Sequence, residues 1–140
     1  LVRLFSLLYP ELQSFQMHSL QKQQGFRIYQ LDFSDGKTKK FAFEGMKGLR
    51  KAGYEQPPAS EYALIYEGML LCSVQDSDEA CLKRIFEQYN DKLPEDYSGR
   101  SIAPSDVIEL YDENGRRYFY RDSDTFCPVQ FSPMLAKKLK

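Results

Sequence analysis

The chain has 140 residues, with 19 basic against 20 acidic side chains and 42% hydrophobic residues. That length bounds it to one domain with a real core, and the charge balance argues against both a dedicated binder of the DNA backbone and an acidic disordered chain. No apolar run approaches the roughly 20 residues of a membrane span.

Leu1 to Gln24 reads as helical, because Leu4, Leu7 and Leu8 share a face at i, i+3, i+4. Pro10 suits the first turn of a second helix, and Gly25 ends the segment. LVRLFSLLYP is too short for a signal peptide and lacks a cleavage site; the start at Leu1 reads as a cut from a longer protein. From Phe26 the period switches to two, which predicts a strand. Asp35-Gly36 then favours a hairpin to Thr38–Phe43, with Asp32 facing Lys39. Glu44 to Ala52 is a short helix stopped by Gly53, and Pro57-Pro58 marks a loop. Glu61 to Leu71 is apolar on both sides, with Tyr62, Leu64 and Tyr66 on one and Ala63 and Ile65 on the other. That pattern suits a central strand.

The clearest helix carries Leu82, Ile85, Phe86 and Tyr89 on one face, with Asp76 or Ser77 able to cap it. A second hairpin spans residues 106–122, turning at Asn114-Gly115. Two registers are open: Leu110 opposite Phe119, or Leu110 opposite Tyr118 with Gly115 in a bulge. Ser132 to Lys140 is a last basic turn or helix. The expected architecture is α+β: a small, mostly antiparallel sheet built from two hairpins plus a central strand, with helices packed on one side.

No catalytic or metal constellation emerges. His18 is the one histidine and has no nucleophile or base-orienting pattern around it. Cys72, Cys81 and Cys127 are an odd count at wide spacings, which reads as reduced thiols in a cytoplasmic protein rather than a disulfide framework or zinc knuckle. The Asp76-Ser77-Asp78-Glu79 run lacks the glycine and glutamate of a calcium loop, and Asp122-Ser123-Asp124 reads as a turn bonded to its own backbone. Gly45-x-x-Gly48 lacks the context of a phosphate loop. No cofactor and no metal are expected. Lys37, Lys39, Lys40, Lys47, Arg50 and Lys51 form either a solvated face or, with interleaved aromatics, a patch for single-stranded nucleic acid.

One ordered set of short motifs has a family likeness. It comprises Leu49-Arg50-Lys51-Ala52-Gly53, Tyr62-x-x-x-Tyr66, a helix Leu82–Tyr89 followed by Asn90, Pro94-x-x-Tyr97-x-Gly99-Arg100-Ser101, Ser105-Asp106-Val107-Ile108, and Tyr120-Arg121-Asp122-Ser123 with Phe126. Over roughly residues 26 to 127 the chain resembles the YodL-like domain family of bacteria. Residues 26–140 are then a YodL-like α+β domain behind an N-terminal helical segment, residues 1–25. The resemblance implies a module found in proteins of conjugative and other mobile elements, and it implies no established enzymatic activity. Arg100 stands where the family often has histidine, which speaks against histidine chemistry there.

Hairpin pairing brings residues near 106 and 122 to one end of the sheet. Arg100, Ser101, Ser105, Asp106, Asp122 and Ser123 are expected to converge there, rimmed by Tyr97, Tyr120 and Phe126. Such a corner is either a structural brace or a partner-binding site, since Tyr and Arg are favoured contact residues. The expected function is a non-enzymatic protein-interaction or accessory module of a bacterial mobile element, cytoplasmic, with a protein partner. The alternatives are an enzyme or small-ligand domain using the Ser/Asp corner, and a nucleic-acid-binding accessory protein using the lysines.

Overall fold

The structure, a computed structural model, describes residues 20–33 and 37–138. The expected N-terminal helix up to residue 19, His18 and the Asp35-Gly36 turn lie outside those residues. Six strands form one sheet: β1 (Gln21–Leu31), β2 (Tyr62–Ser73), β3 (Val107–Asp112), β4 (Gly115–Arg121), β5 (Phe126–Val129) and β6 (Lys137–Lys138). Their spatial order is β5-β4-β3-β1-β2-β6. Every pairing is antiparallel except the short β2–β6 contact. Two α-helices, α1 (Met46–Lys51) and α2 (Asp78–Asp91), complete an α+β fold dominated by its sheet.

Alternation along the strands sorts side chains onto two faces. Phe26, Ile28, Ile108, Leu110 and Phe119 point to one face and pack on Cys81, Leu82, Ile85 and Tyr89 of α2. Tyr29, Leu31, Val107 and Tyr120 point to the other, where Leu49 of α1, Phe41, Tyr62 and Phe131 cover them. Helical cover is thus divided: α2 lies on one face, and α1 with irregular chain covers part of the second.

The first hairpin does not form. Lys37–Lys40 is a 3₁₀ turn, and Asp32 pairs with Lys137 at 3.0 Å rather than with Lys39. Tertiary pairing overrides the turn signal because both sides of β1 are occupied, by β2 and by β3. β1, not β2, is therefore the central strand. It also begins at Gln21, so Gln21–Gln24, expected as a polar helix exit, are strand residues. A bulge sets Ile28 opposite Tyr66 and Tyr29 opposite Leu64, leaving Ile65 as the extra residue. Ile65 and Tyr66 consequently both pack in the α2-side cluster, which breaks the strict alternation read from the sequence.

The second hairpin forms in a third register: Ile108 faces Phe119, Leu110 faces Arg117 and Asp112 faces Gly115. This is the Leu110–Phe119 register slid by two residues, so the same side chains keep the same faces. The turn is Glu113-Asn114: Asp112 Oδ1 accepts the Asn114 N–H at 2.8 Å, and Gly115 opens β4 at φ +111°. β5 and β6 carried no sequence signal. Ser77 caps α2 as expected, its Oγ accepting the Ala80 N–H at 3.1 Å.

Candidate functional site

The Ser105-Asp106 step ahead of β3 is the hub of the polar corner. Ser105 sits at φ +82°, a left-handed conformation that costs a non-glycine residue about 1–2 kcal/mol. Its hydrogen bonds hold it there. The Ser105 N–H donates to the Arg121 carbonyl at 3.0 Å, Tyr62 Oη donates to the Ser105 carbonyl at 2.6 Å, and Ser105 Oγ accepts the Phe43 N–H at 3.2 Å.

Asp106 is fully buried. Its Oδ1 receives Arg100 Nη2 at 2.8 Å, and its Oδ2 receives Gln30 Nε2 at 3.0 Å and the Ala103 N–H at 2.9 Å. Burial pushes its carboxyl up to about 7 against the opposing pull of Arg100, the Ala103 N–H and Gln30. Gln30 ties the segment at residues 99–101 to β1. Its Oε1 accepts the Arg100 N–H at 3.0 Å, and its Nε2 also donates to the Arg100 carbonyl at 2.8 Å. Gly99 is required by this approach: a Cβ there would lie 2.2 Å from Gln30 Oε1 and 2.4 Å from Ile65 Cδ1.

Arg100 leads outward from the hub. Its guanidinium lies 4.9 Å from the Phe43 ring centroid and 5.5 Å from that of Phe33. These two rings are 5.9 Å apart and are 51% and 39% exposed. Beside them runs a groove of about 400 Å³ lined by Gln30, Leu31, Phe33, Ala63, Gly99 and Arg100, among others.

Asp122 forms a second, separate clasp. Its Oδ1 accepts the N–H groups of Met46 and Ser123 at 3.2 and 2.9 Å, and its own N–H donates to Thr125. The Ser123 N–H, with that of Met46, holds its carboxyl below the ordinary value. The Asp122–Ser123 turn thus anchors the start of α1.

The nine expected residues therefore divide. Arg100, Ser105 and Asp106 share one hydrogen-bonded hub, which Ser101 joins through its carbonyl, 3.5 Å from Gln30 Nε2. Asp122 and Ser123 form the neighbouring clasp. The aromatic residues turn inward rather than rimming a surface. Tyr120 is fully buried, its Oη donating to the Glu44 carbonyl at 2.8 Å. Tyr97 is 8% exposed and stacks on Tyr89. Phe126 packs edge-on against Phe86, and the Arg121 guanidinium lies over both rings. The sequence reading missed Gln30, Phe33 and Phe43. A glutamine within an apolar strand was the available sign for the first; the two phenylalanines flank the Asp35-Gly36 signal, which drew attention to a hairpin instead.

The cysteines are less scattered than their spacing implied. Cys72 Sγ and Cys81 Sγ are 3.0 Å apart, with an Asp76 oxygen within 4.8 Å of both. That carboxylate already accepts the Ser73 N–H at 2.9 Å, and Arg84 Nη1 stands 3.8 Å from Cys72 Sγ. Burial pushes the Cys81 thiol up to about 12. A committed carboxylate, a neighbouring guanidinium and a buried thiol favour a sulfur contact within the core over a cation cradle.

Among the described residues no helix is long and apolar enough to cross a membrane. No curated protein and no solved structure matches the chain. The model of the YodL-like domain family matches residues 25–131, which take in β1 from Gly25 onward, β2 to β5, both helices, the Asp106 hub and the Asp122 clasp. The chain belongs to the YodL-like domain family.

Proposed function

We propose that the chain is a protein-interaction module of a bacterial mobile element that works by surface recognition rather than catalysis. The observation that carries this reading is the Arg100–Phe33–Phe43 surface. A guanidinium fixed by a buried carboxylate lies against two solvent-exposed aromatic rings at the mouth of a groove. Arginine and aromatic side chains held in place before binding lose little entropy when a partner docks. The polar groups beneath are already bonded to one another. Ser105 Oγ accepts a backbone N–H, and the Asp106 oxygens are engaged by Arg100, Gln30 and Ala103. These bonds favour a scaffold over a nucleophile or a proton shuttle at the Ser/Asp corner.

Affinity capture from a bacterial lysate tests the proposal. Phe33→Ala and Phe43→Ala are expected to keep the fold and lose the captured protein. Arg100→Ala is expected to lose it as well, with some loss of stability. Retention of the same partner by all three variants would remove this surface from the proposal. Tyr120→Ala is uninformative, because Tyr120 is a core residue.

A second reading has one specific observation behind it. Lys40, Lys47 and Lys51 line a depression of about 530 Å³ together with Glu44. Such a cluster suits the phosphates of a single-stranded nucleic acid. Binding that weakens steeply with salt and with Lys47→Ala would favour it; binding unaffected by salt would exclude it.

A further inference from the structure

The two edges of the sheet are protected very differently. β5 closes one edge with four residues that include Pro128, which has no N–H to offer. The other edge belongs to β2, which has 12 residues. β6 covers β2 only at Ala63 and Leu64. The Ile65 carbonyl is taken by the Ser98 N–H and Oγ at 3.4 and 3.3 Å. At the far end Ser73 exchanges bonds with Asp76, and the Leu71 carbonyl receives Arg84 Nη1 at 2.9 Å.

Between these caps no described residue pairs with the edge. The Val74 N–H points inward to Leu20, and residues alternate in direction along an antiparallel strand. Glu67, Met69 and Leu71 therefore turn their backbone groups away from β1. Apart from the Leu71 carbonyl, these groups have no hydrogen-bond partner among the described residues. Met69 and Leu71 are also 55% and 54% exposed. The usual edge defences, a lysine or a proline, are absent from this stretch.

We propose that this edge pairs with the same edge of a second copy of the chain, antiparallel about a twofold axis at Met69. The segment is complementary to itself in that register. Met69 faces Met69 and the two exchange both backbone hydrogen bonds. Glu67 faces Leu71 of the second copy, so no like charges meet. Glu67 is already neutralised within its own sheet by Arg27 Nε at 2.5 Å. On the α2 side, Gly68 stands opposite Leu70 of the second copy and presents no side chain to it. The exposed methionine and leucine side chains cover one another, and the two sheets become continuous.

Sedimentation of the whole chain over a wide concentration range tests this, with Met69→Lys and Leu71→Lys alongside. Met69→Lys sets two ammonium groups against each other at the axis and is expected to weaken the dimer at least about tenfold. Leu71→Lys meets Glu67 of the second copy and is expected to keep or tighten it. Both positions are exposed, so unchanged circular dichroism and thermal midpoints will show that the fold is intact. A wild-type chain that stays monomeric at its highest soluble concentration overturns the proposal. So does a dimer indifferent to Met69→Lys, and so does equal loss in both variants.

Discussion

Asp106 immediately precedes β3 and Asp112 ends it, and each meets an arginine. Arg100 Nη2 lies 2.8 Å from Asp106, and Arg117 Nη2 lies 3.1 Å from Asp112. Their acidities nevertheless move in opposite directions. Burial raises Asp106 to about 7. Asp112, whose side chain is 8% exposed beside the turn, is held well below the usual carboxylate range by Arg117, helped by the Asn114 N–H and Lys22. An ion pair of similar length is thus a costly structural element in one place and a mild stabiliser in the other. What decides is the balance: burial outweighs the partners at Asp106, whereas Arg117 on both oxygens, the Asn114 N–H and Lys22 outweigh it at Asp112.

The strongest test of that contrast is truncation. Asp106→Ala strips the hub of its acceptor and leaves Gln30, Arg100 and the Ala103 N–H without their shared partner. A loss of about 3 kcal/mol or more is expected, read by denaturant unfolding. Gly99→Ala comes next. Its methyl group would collide with Gln30 and Ile65, and such overpacking is expected to cost about 2 kcal/mol.

Titration separates the two ends by sign. The folded Asp106 binds its proton more tightly than the unfolded chain does. Its contribution to stability is therefore fully present below the ordinary carboxylate value and is lost as pH rises through about 7. Wild type should gain about 2 kcal/mol relative to Asp106→Asn on going from pH 8 to pH 5. Asp112 works the other way: its stabilisation is present above the ordinary carboxylate value and is lost on acidification below it. Parallel pH profiles for wild type and Asp106→Asn would contradict the burial argument. The smallest effect is expected from Asp112→Asn at neutral pH. Arg117 and Lys22 still reach solvent and Arg117 keeps Asp78 as a partner, so the loss should be about 1 kcal/mol.

These two ends also differ in how far the sequence revealed them. Local chemistry was legible: a hairpin turning near Asn114, though not its register, a cap at Asp76 or Ser77, the Gly53 stop and the apolar face of α2 each depend on residues a few positions apart. The Asp106 corner was legible only as a convergence of residues that hairpin pairing would bring to one end. Its depth was not. Gln30 reaches it from a strand whose partners no local signal identifies, and Tyr97 and Tyr120, read as a rim, are buried by residues distant in the chain. The Asp35-Gly36 signal misled for the same reason. A good turn dipeptide offers a hairpin, but β1 had both its edges taken by strands that come later.

That placement of β1 bears on how the chain acquires its fold. The sheet is built around its earliest described strand, yet that strand's partners arrive late. Arg27 meets Glu67 and Glu109, which lie 40 and 82 residues further on. The β3–β4 hairpin is the one tightly connected pair next to the centre, so it is expected to form early, with β1 docking against it once the intervening loops have closed. A chain emerging N-terminus first would hold β1, apolar on both faces, unpaired until β2 has been made and with one edge open until β3 follows. Substitutions in β3 and β4 should then slow refolding, whereas those in β2 should mainly hasten unfolding.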